Sequence, residues 1–285
     1  MAVDALVTGL GLANLIALLS VVLIGLPHGA FDGAIAIYLG YSKRLASLLR
    51  FTLLYIGLAT LVVYLWLQFP VMSLMVFLVI SILHFGFGDA RLSGGWLRWV
   101  QAFAHGGVVV AGISQFHRSE VDRIFAYLSG GSAAPVWVVI DSISLIVVLS
   151  IAIYAWKALR DRHWRAGLVE LSLLLFLFSQ VPPLVGFAFY FCLVHSSRHV
   201  WQIWCFVRSV KPRGELYTQA LLLTSFSWGI GGIVFWWCTS VMTLESALLR
   251  VVFIGLAALT VPHMILLDGI FRRFVFQKTS QTSNR

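Results

Sequence analysis

Phe189-Tyr190-Phe191-Cys192-Leu193-Val194-His195-Ser196-Ser197-Arg198-His199-Val200-Trp201 is an apolar run carrying two histidines. His195 and His199 are four residues apart, so a helix places them on one face, one turn apart. The run sits within a longer apolar segment, 184–207, that is long enough to cross a hydrocarbon core. Imidazole in such a segment is costly without a partner and usually marks function. The stretch therefore reads as a membrane-length helix with chemistry on one face.

The rest of the chain has the same character. Of 285 residues, 60% are hydrophobic and only 11% are charged, which excludes a soluble domain. Membrane-length helices are expected over 6–40 (broken near Pro27), 51–68, 71–88, 99–115, 135–156, 167–181, 184–207, 216–238 and 246–271. If the sixth segment pairs with the seventh as a re-entrant hairpin at Pro182-Pro183, the count drops by one. The expectation is an all-α, polytopic transmembrane bundle of eight or nine spans, a single integral-membrane domain over 1–285. The segment 116–134 is the one sizeable outer loop, with room for a short interfacial helix.

The net charge of +9 lies in short clusters between apolar segments. Lys43, Arg44 and Arg50 follow the first segment, Arg91 and Arg98 the third, Lys157, Arg160, Arg162 and Arg165 the fifth, and Arg208, Lys211 and Arg213 the seventh. The tail adds Arg272, Arg273, Lys278 and Arg285. Loops on the other side hold only Arg118 and Arg123, balanced by Glu120 and Asp122. This asymmetry predicts an outer N-terminus, a cytoplasmic C-terminus and a multi-pass protein of the cell membrane, and it gives no reason to invoke nucleic acid. Cys192, Cys205 and Cys238 lie in apolar segments without ligand-like spacing and read as packing residues.

Three further histidines lie in comparable settings: His28 in GLPHGAFD, His84 in ILHFGFGD and His263 in TVPHMILLDG. With His195 and His199 they fall on odd-numbered segments, which run the same way and can bring them to one depth. Converging neutral imidazoles suit iron, copper, zinc or nickel. Asp32 follows His28 by four residues, and Asp89 and Asp268 follow His84 and His263 by five. Ligating imidazoles commonly donate their other N–H to a carboxylate, so these three aspartates are expected behind the ligands. The bland reading is that each histidine bonds between helices, and it is preferred for His105. His117 and His163 fall in loops. Phe187, Tyr190, Phe191 and Trp201 read either as packing or as the wall of an apolar substrate tunnel. No catalytic group beyond the metal site is required.

Taken in order, PHGAFD, HFGFGD, the HSSRH pair and PHMILLDG resemble the Brp/Blh family of membrane β-carotene 15,15′-dioxygenases, over about residues 20–270. The resemblance implies an Fe(2+) oxygenase that splits the central double bond of β-carotene with O₂ to give two all-trans-retinal. It implies metal ligands at His28, His84, His195 and His199, with His263 as a further ligand or pocket residue. It also implies a functional link to a retinal-binding rhodopsin. Other classes fit less well. A retinal Schiff base needs a lysine inside a span, and Lys43, Lys157, Lys211 and Lys278 all lie in loops or the tail. Di-iron hydroxylases need more histidines in HxxHH boxes, and a haem carrier would leave several histidines unexplained. An intramembrane His/Asp proton-coupled transporter is the strongest alternative from residues alone.

Overall fold

The computed structural model describes residue 6 and residues 9–90, 95–207 and 213–267; the side chains of residues 28, 30, 42, 202–207, 213–217 and 219 lie outside that description. Among the described residues every regular element is helical. Helix α1 spans Leu12–Ser20 and runs through a π-helical turn, Val21–Gly25, into a 3-10 turn, Leu26–Phe31, and then α2, Asp32–Tyr38. The expected break at Pro27 is present. After it come α3 (Leu45–Gln68), α4 (Pro70–Asp89) and α5 (Trp96–Gly107), which continues by a π segment, Val108–Gly112, into α6 (Ile113–Phe116). The loop expected over 116–134 folds around α7 (Arg118–Ser129). Then follow α8 (Ala134–Arg160), α9 (Arg165–Gln180) and α10 (Pro183–Ala188), the π segment Phe189–His195 and α11 (Ser196–Val207). The last described helices are α12 (Arg213–Cys238) and α13 (Leu244–Met264).

Local chemistry sets the boundaries. Proline stands in the first turn of α4, α8 and α10, where its missing N–H costs nothing. Thr243 caps α13, its hydroxyl accepting from the Ser246 N–H. Gly130 ends α7 in the left-handed region at φ 74°, which only glycine adopts without strain.

Among the described residues, five segments are long and apolar enough to cross a membrane: Leu45–Gln68, Pro70–Asp89, Ala134–Arg160, Ala220–Cys238 and Leu244–Leu267. The remaining segments of the nine expected are helical, but α9 has 16 residues and the others are interrupted, at Pro27 and at two π segments. Outward-facing positions are apolar: Leu53, Leu145, Leu159 and Trp236 are each more than two-thirds exposed. In water such a surface would aggregate, whereas lipid solvates it.

Among the described residues, α4 and α5 pack backbone against backbone. A Cβ on Gly86 would lie 2.0 Å from the Ala102 carbonyl oxygen, and one on Gly106 would lie 1.8 Å from that of Ile82. The two backbones touch directly, as small residues permit in membrane helices. The π turns free carbonyls that need donors, and donors are present. Trp228 donates to the Val22 carbonyl at 2.9 Å, Cys192 to Ser20 at 3.4 Å and Ser114 to Val110 at 2.7 Å.

Gly86→Ala and Gly106→Ala place a methyl against backbone that cannot rotate away. Each is expected to cost about 1–3 kcal/mol or more, read as a lower unfolding midpoint in detergent. Gly57→Ala meets nothing within 4 Å and serves as the control, neutral or slightly stabilising.

Candidate metal centre

Four imidazoles from three regions of the chain meet in the interior. His84 comes from the C-terminal half of α4, His195 and His199 from the end of the π segment and the first turn of α11, and His263 from the end of α13 after Pro262. All four are buried. Ring centres lie 4.9 Å apart for His84–His195, 5.4 Å for His84–His263, 4.8 Å for His199–His263 and 6.2 Å for His195–His199. One ring nitrogen of each is shielded from solvent: Nδ1 of His84 and Nε2 of His195, His199 and His263. His28 sits on the 3-10 turn Leu26–Phe31, which packs against α11, α12 and α13; its side chain lies outside the described residues.

His28, His195 and His263 lie next to a π-helical turn or shortly after one, whereas His84 lies in uninterrupted α-helix. Val21–Gly25 precedes the turn holding His28, Phe189–His195 ends on His195, and a π turn at 265–267 follows His263. A single widened turn shifts the following side chains around the helix axis and is common at functional sites. Periodicity counts assume 3.6 residues per turn, so these turns are not legible from periodicity.

The carboxylates act across the bundle. From spacing, Asp32 was expected behind His28, but its Oδ1 lies 2.7 Å from Nδ1 of His263, and its Oδ2 accepts from the Tyr55 hydroxyl at 2.8 Å. If Nδ1–H of His263 donates to Asp32, Nε2 keeps its lone pair for a ligand. Asp89, expected behind His84, accepts instead from the Tyr190 hydroxyl at 2.7 Å and from Arg198 Nη1 at 2.9 Å. The same Nη1 donates to Glu170 Oε1 at 2.7 Å. A helical carboxylate five residues on points away from the imidazole it follows, so the spacing argument fails there. Asp268 lies outside the described residues.

Comparison with known proteins fits this geometry. Residues 19–270 match the family model described as "Beta-carotene 15,15'-dioxygenase", a range that takes in all five histidines. The chain belongs to this family. It is 41% identical over 265 residues to the beta-carotene 15,15'-dioxygenase of uncultured marine bacterium 66A03, covering 93% of this chain and 96% of that one. It is 29% identical to the probable beta-carotene 15,15'-dioxygenase Blh of Halobacterium salinarum, covering 89% of this chain and 83% of the relative. No solved structure matches.

Within the family assignment, the remaining histidines separate clearly. His105 packs edge-on to Tyr154, with a ring nitrogen within 4.8 Å of carboxylate oxygens of Asp89 and Glu170. That trio has ligand-like spacing, but the Arg198 guanidinium already bridges its two carboxylates, so we read it as an ion-pair network rather than a cation site. His117 holds the Phe178 carbonyl at 2.7 Å, and His163 is exposed. A cavity of about 480 Å³ lined by Arg118, Asp122, Trp137 and Asp141 borders α7 and α8, and none of the clustered histidines lines it.

The four aromatic residues expected to wall a tunnel do not share one surface. Phe187 and Phe191 stack at 5.4 Å, and Phe191 stacks on His195 at 5.9 Å, which makes a flat column beside the imidazoles. Tyr190 is fully buried with its hydroxyl on Asp89, and Trp201 is exposed on the outside. Arg198, Glu170 and Tyr55 were missed from the sequence. Arg198 and Glu170 were legible, because a charge inside an apolar segment is itself a mark.

Asp32→Ala removes the acceptor at His263 Nδ1. Loss of a buried partner costs about 1–3 kcal/mol, so the unfolding midpoint should fall. Tyr55→Phe, which leaves the His263 contact in place, should fall by less. Equal losses would show that the Tyr55 hydroxyl, not the imidazole, is what Asp32 anchors.

Proposed function

We propose that this chain cleaves the central 15,15′ double bond of β-carotene with O₂ at an iron(II) ion held by His28, His84, His195 and His199, with His263 completing the set. The carbon–carbon double bond is lost, each half gains one oxygen atom, and two molecules of all-trans-retinal leave. The observation that carries this reading is the gathering of four buried imidazoles in a chain of this family.

The donor types are those of a metal site, and the ring spacing is compatible with one. With metal–nitrogen bonds of about 2.0–2.1 Å, two imidazoles on one ion hold their ring centres roughly 4.5 Å apart at right angles and about 6.5 Å apart when opposite. Four of the six ring pairs, at 4.8 to 6.2 Å, lie in that interval. Imidazole nitrogen suits iron as well as zinc or copper; the oxygen chemistry disfavours zinc, and the family resemblance points to iron. When bound, iron supplies the activation of O₂ that no amino-acid side chain can provide.

The protein's own residues do the rest. Asp32 fixes the ring of His263 and Tyr55 fixes Asp32. Phe85 closes against His195 and Tyr190 and keeps water from the centre. Phe187 and Phe191 present flat apolar faces in line with His195, suited to dispersion contact with a polyene. β-Carotene dissolves in the bilayer and enters sideways through the lipid-facing surface. The bundle crosses the cell membrane eight or nine times, with its N-terminus outside and its C-terminus in the cytoplasm, and its product serves a retinal-binding rhodopsin. A proton-relay transporter fits less well, because Asp32 and Asp89 are each engaged by two donors.

The test is expression in β-carotene-producing cells, with pigment and retinoids extracted and iron measured on the purified protein. Wild type should bleach the cells and yield retinal with about one iron per chain; His195→Ala should leave them orange. Persistent colour with folded, iron-loaded wild type would overturn the proposal.

A further inference from the structure

We propose that Arg198 is a positioning residue: through Asp89 it sets how closely His195 approaches His84. The inference rests on the reading above that these two imidazoles hold the metal.

Asp89 is the last residue of α4, five positions after His84. Its two oxygens each take one donor, and the donors come from opposite sides of His195. Tyr190, five residues before His195, donates to Oδ2 at 2.7 Å, and Arg198, three residues after it, donates to Oδ1 at 2.9 Å. His195 is thus bracketed along its own chain and stapled at both ends to the helix that carries His84. The staple is short and is dry at its Asp89 and Tyr190 ends: the Asp89 side chain is 2% exposed and Tyr190 is fully buried, while Arg198 is half-buried. Between the staple and His84, the α4 backbone lies against the ring, and a Cβ on Gly88 would sit 3.8 Å from His195 Cε1.

Glu170 gives the clamp its third leg. It holds the same Arg198 nitrogen at 2.7 Å and ties α11 to α9. Arg198 is also the residue immediately before His199, so its side chain constrains the turn that delivers both imidazoles of the pair. A guanidinium held by two carboxylates cannot rotate freely, and the turn that carries it inherits that restraint.

A merely structural ion pair would affect folding alone. A positioning role also affects the metal's surroundings. The test uses Arg198→Lys, Glu170→Gln and Tyr190→Phe, the last deleting a single hydroxyl and posing little risk to the fold. Each variant is purified and compared with wild type by unfolding midpoint, metal content, the visible spectrum after cobalt(II) substitution, and kcat against KM for β-carotene. Tyr190→Phe and Arg198→Lys should fold, lose metal affinity by about 10–100-fold, shift the cobalt bands and lower kcat with KM little changed. Glu170→Gln should do the same more weakly. Folded variants with wild-type cobalt bands and kcat would overturn the proposal alone. A His84→Ala protein that retains the full complement of metal would overturn it together with the four-imidazole reading on which it rests.

Discussion

The hydrogen bond between Asp32 and His263 joins positions 231 residues apart and closes the bundle on itself. Both side chains are almost wholly buried, and neither could stay there alone. A carboxylate or imidazole in an apolar interior must find a partner, or its desolvation cost goes uncompensated. The partner here comes from the opposite end of the chain, so meeting the local requirement fixes the global arrangement. Asp89 repeats the device with Tyr190 and Arg198, about a hundred positions further along the chain. These two carboxylates determine which helices face one another, and the imidazoles converge as a result.

The backbone makes room for that convergence in two ways. Glycine brings α4 and α5 into direct contact, so the helix that carries His84 is seated on a rigid neighbour. Gly25 does the same at the first turn: a Cβ there would come within 2.4 Å of the Phe191 ring, which itself stacks on His195. The π turns rotate His195 and the segment before His28 relative to an unbroken helix. Such turns weaken the backbone ladder, and side chains from neighbouring helices complete it, as Trp228 does at Val22. Packing and irregularity therefore depend on each other. The close contacts are possible only where glycine stands, and the wide turns are stable only where a neighbour donates.

Much of this was legible in the sequence. Apolar runs gave the helices, since membrane-length segments need no tertiary information to be recognised, and Pro27 marked a real break. Five histidines stood out because buried imidazole is rare, and four of their rings lie together. Other features were not legible, for particular physical reasons. Spacing along a helix says which residues share a face, but not which residue of another helix they meet, so the contacts of Asp32 with His263 and of Asp89 with Tyr190 and Arg198 were not legible. A widened turn leaves no compositional trace, so the π segments that interrupt three of the expected spans were not legible. Tyr190 was read as packing or as a tunnel wall because an aromatic ring advertises its face; the ring does pack on Phe85, but the hydroxyl contact to Asp89 was not legible.

The charges around the cluster are met by partners. Asp32, Asp89 and Glu170 bring three formal negative charges to the groups that touch or flank the imidazoles, and Arg198 returns one positive charge. A buried charge costs several kcal/mol even after relaxation unless it is paired, so Arg198, held between Asp89 and Glu170, offsets part of the cost of burying Asp89. Asp32 meets the same requirement through Tyr55 and His263. The polar network thus does two things with the same atoms. It satisfies the buried carboxylates, and it holds the histidine-bearing helices in place through hydrogen bonds.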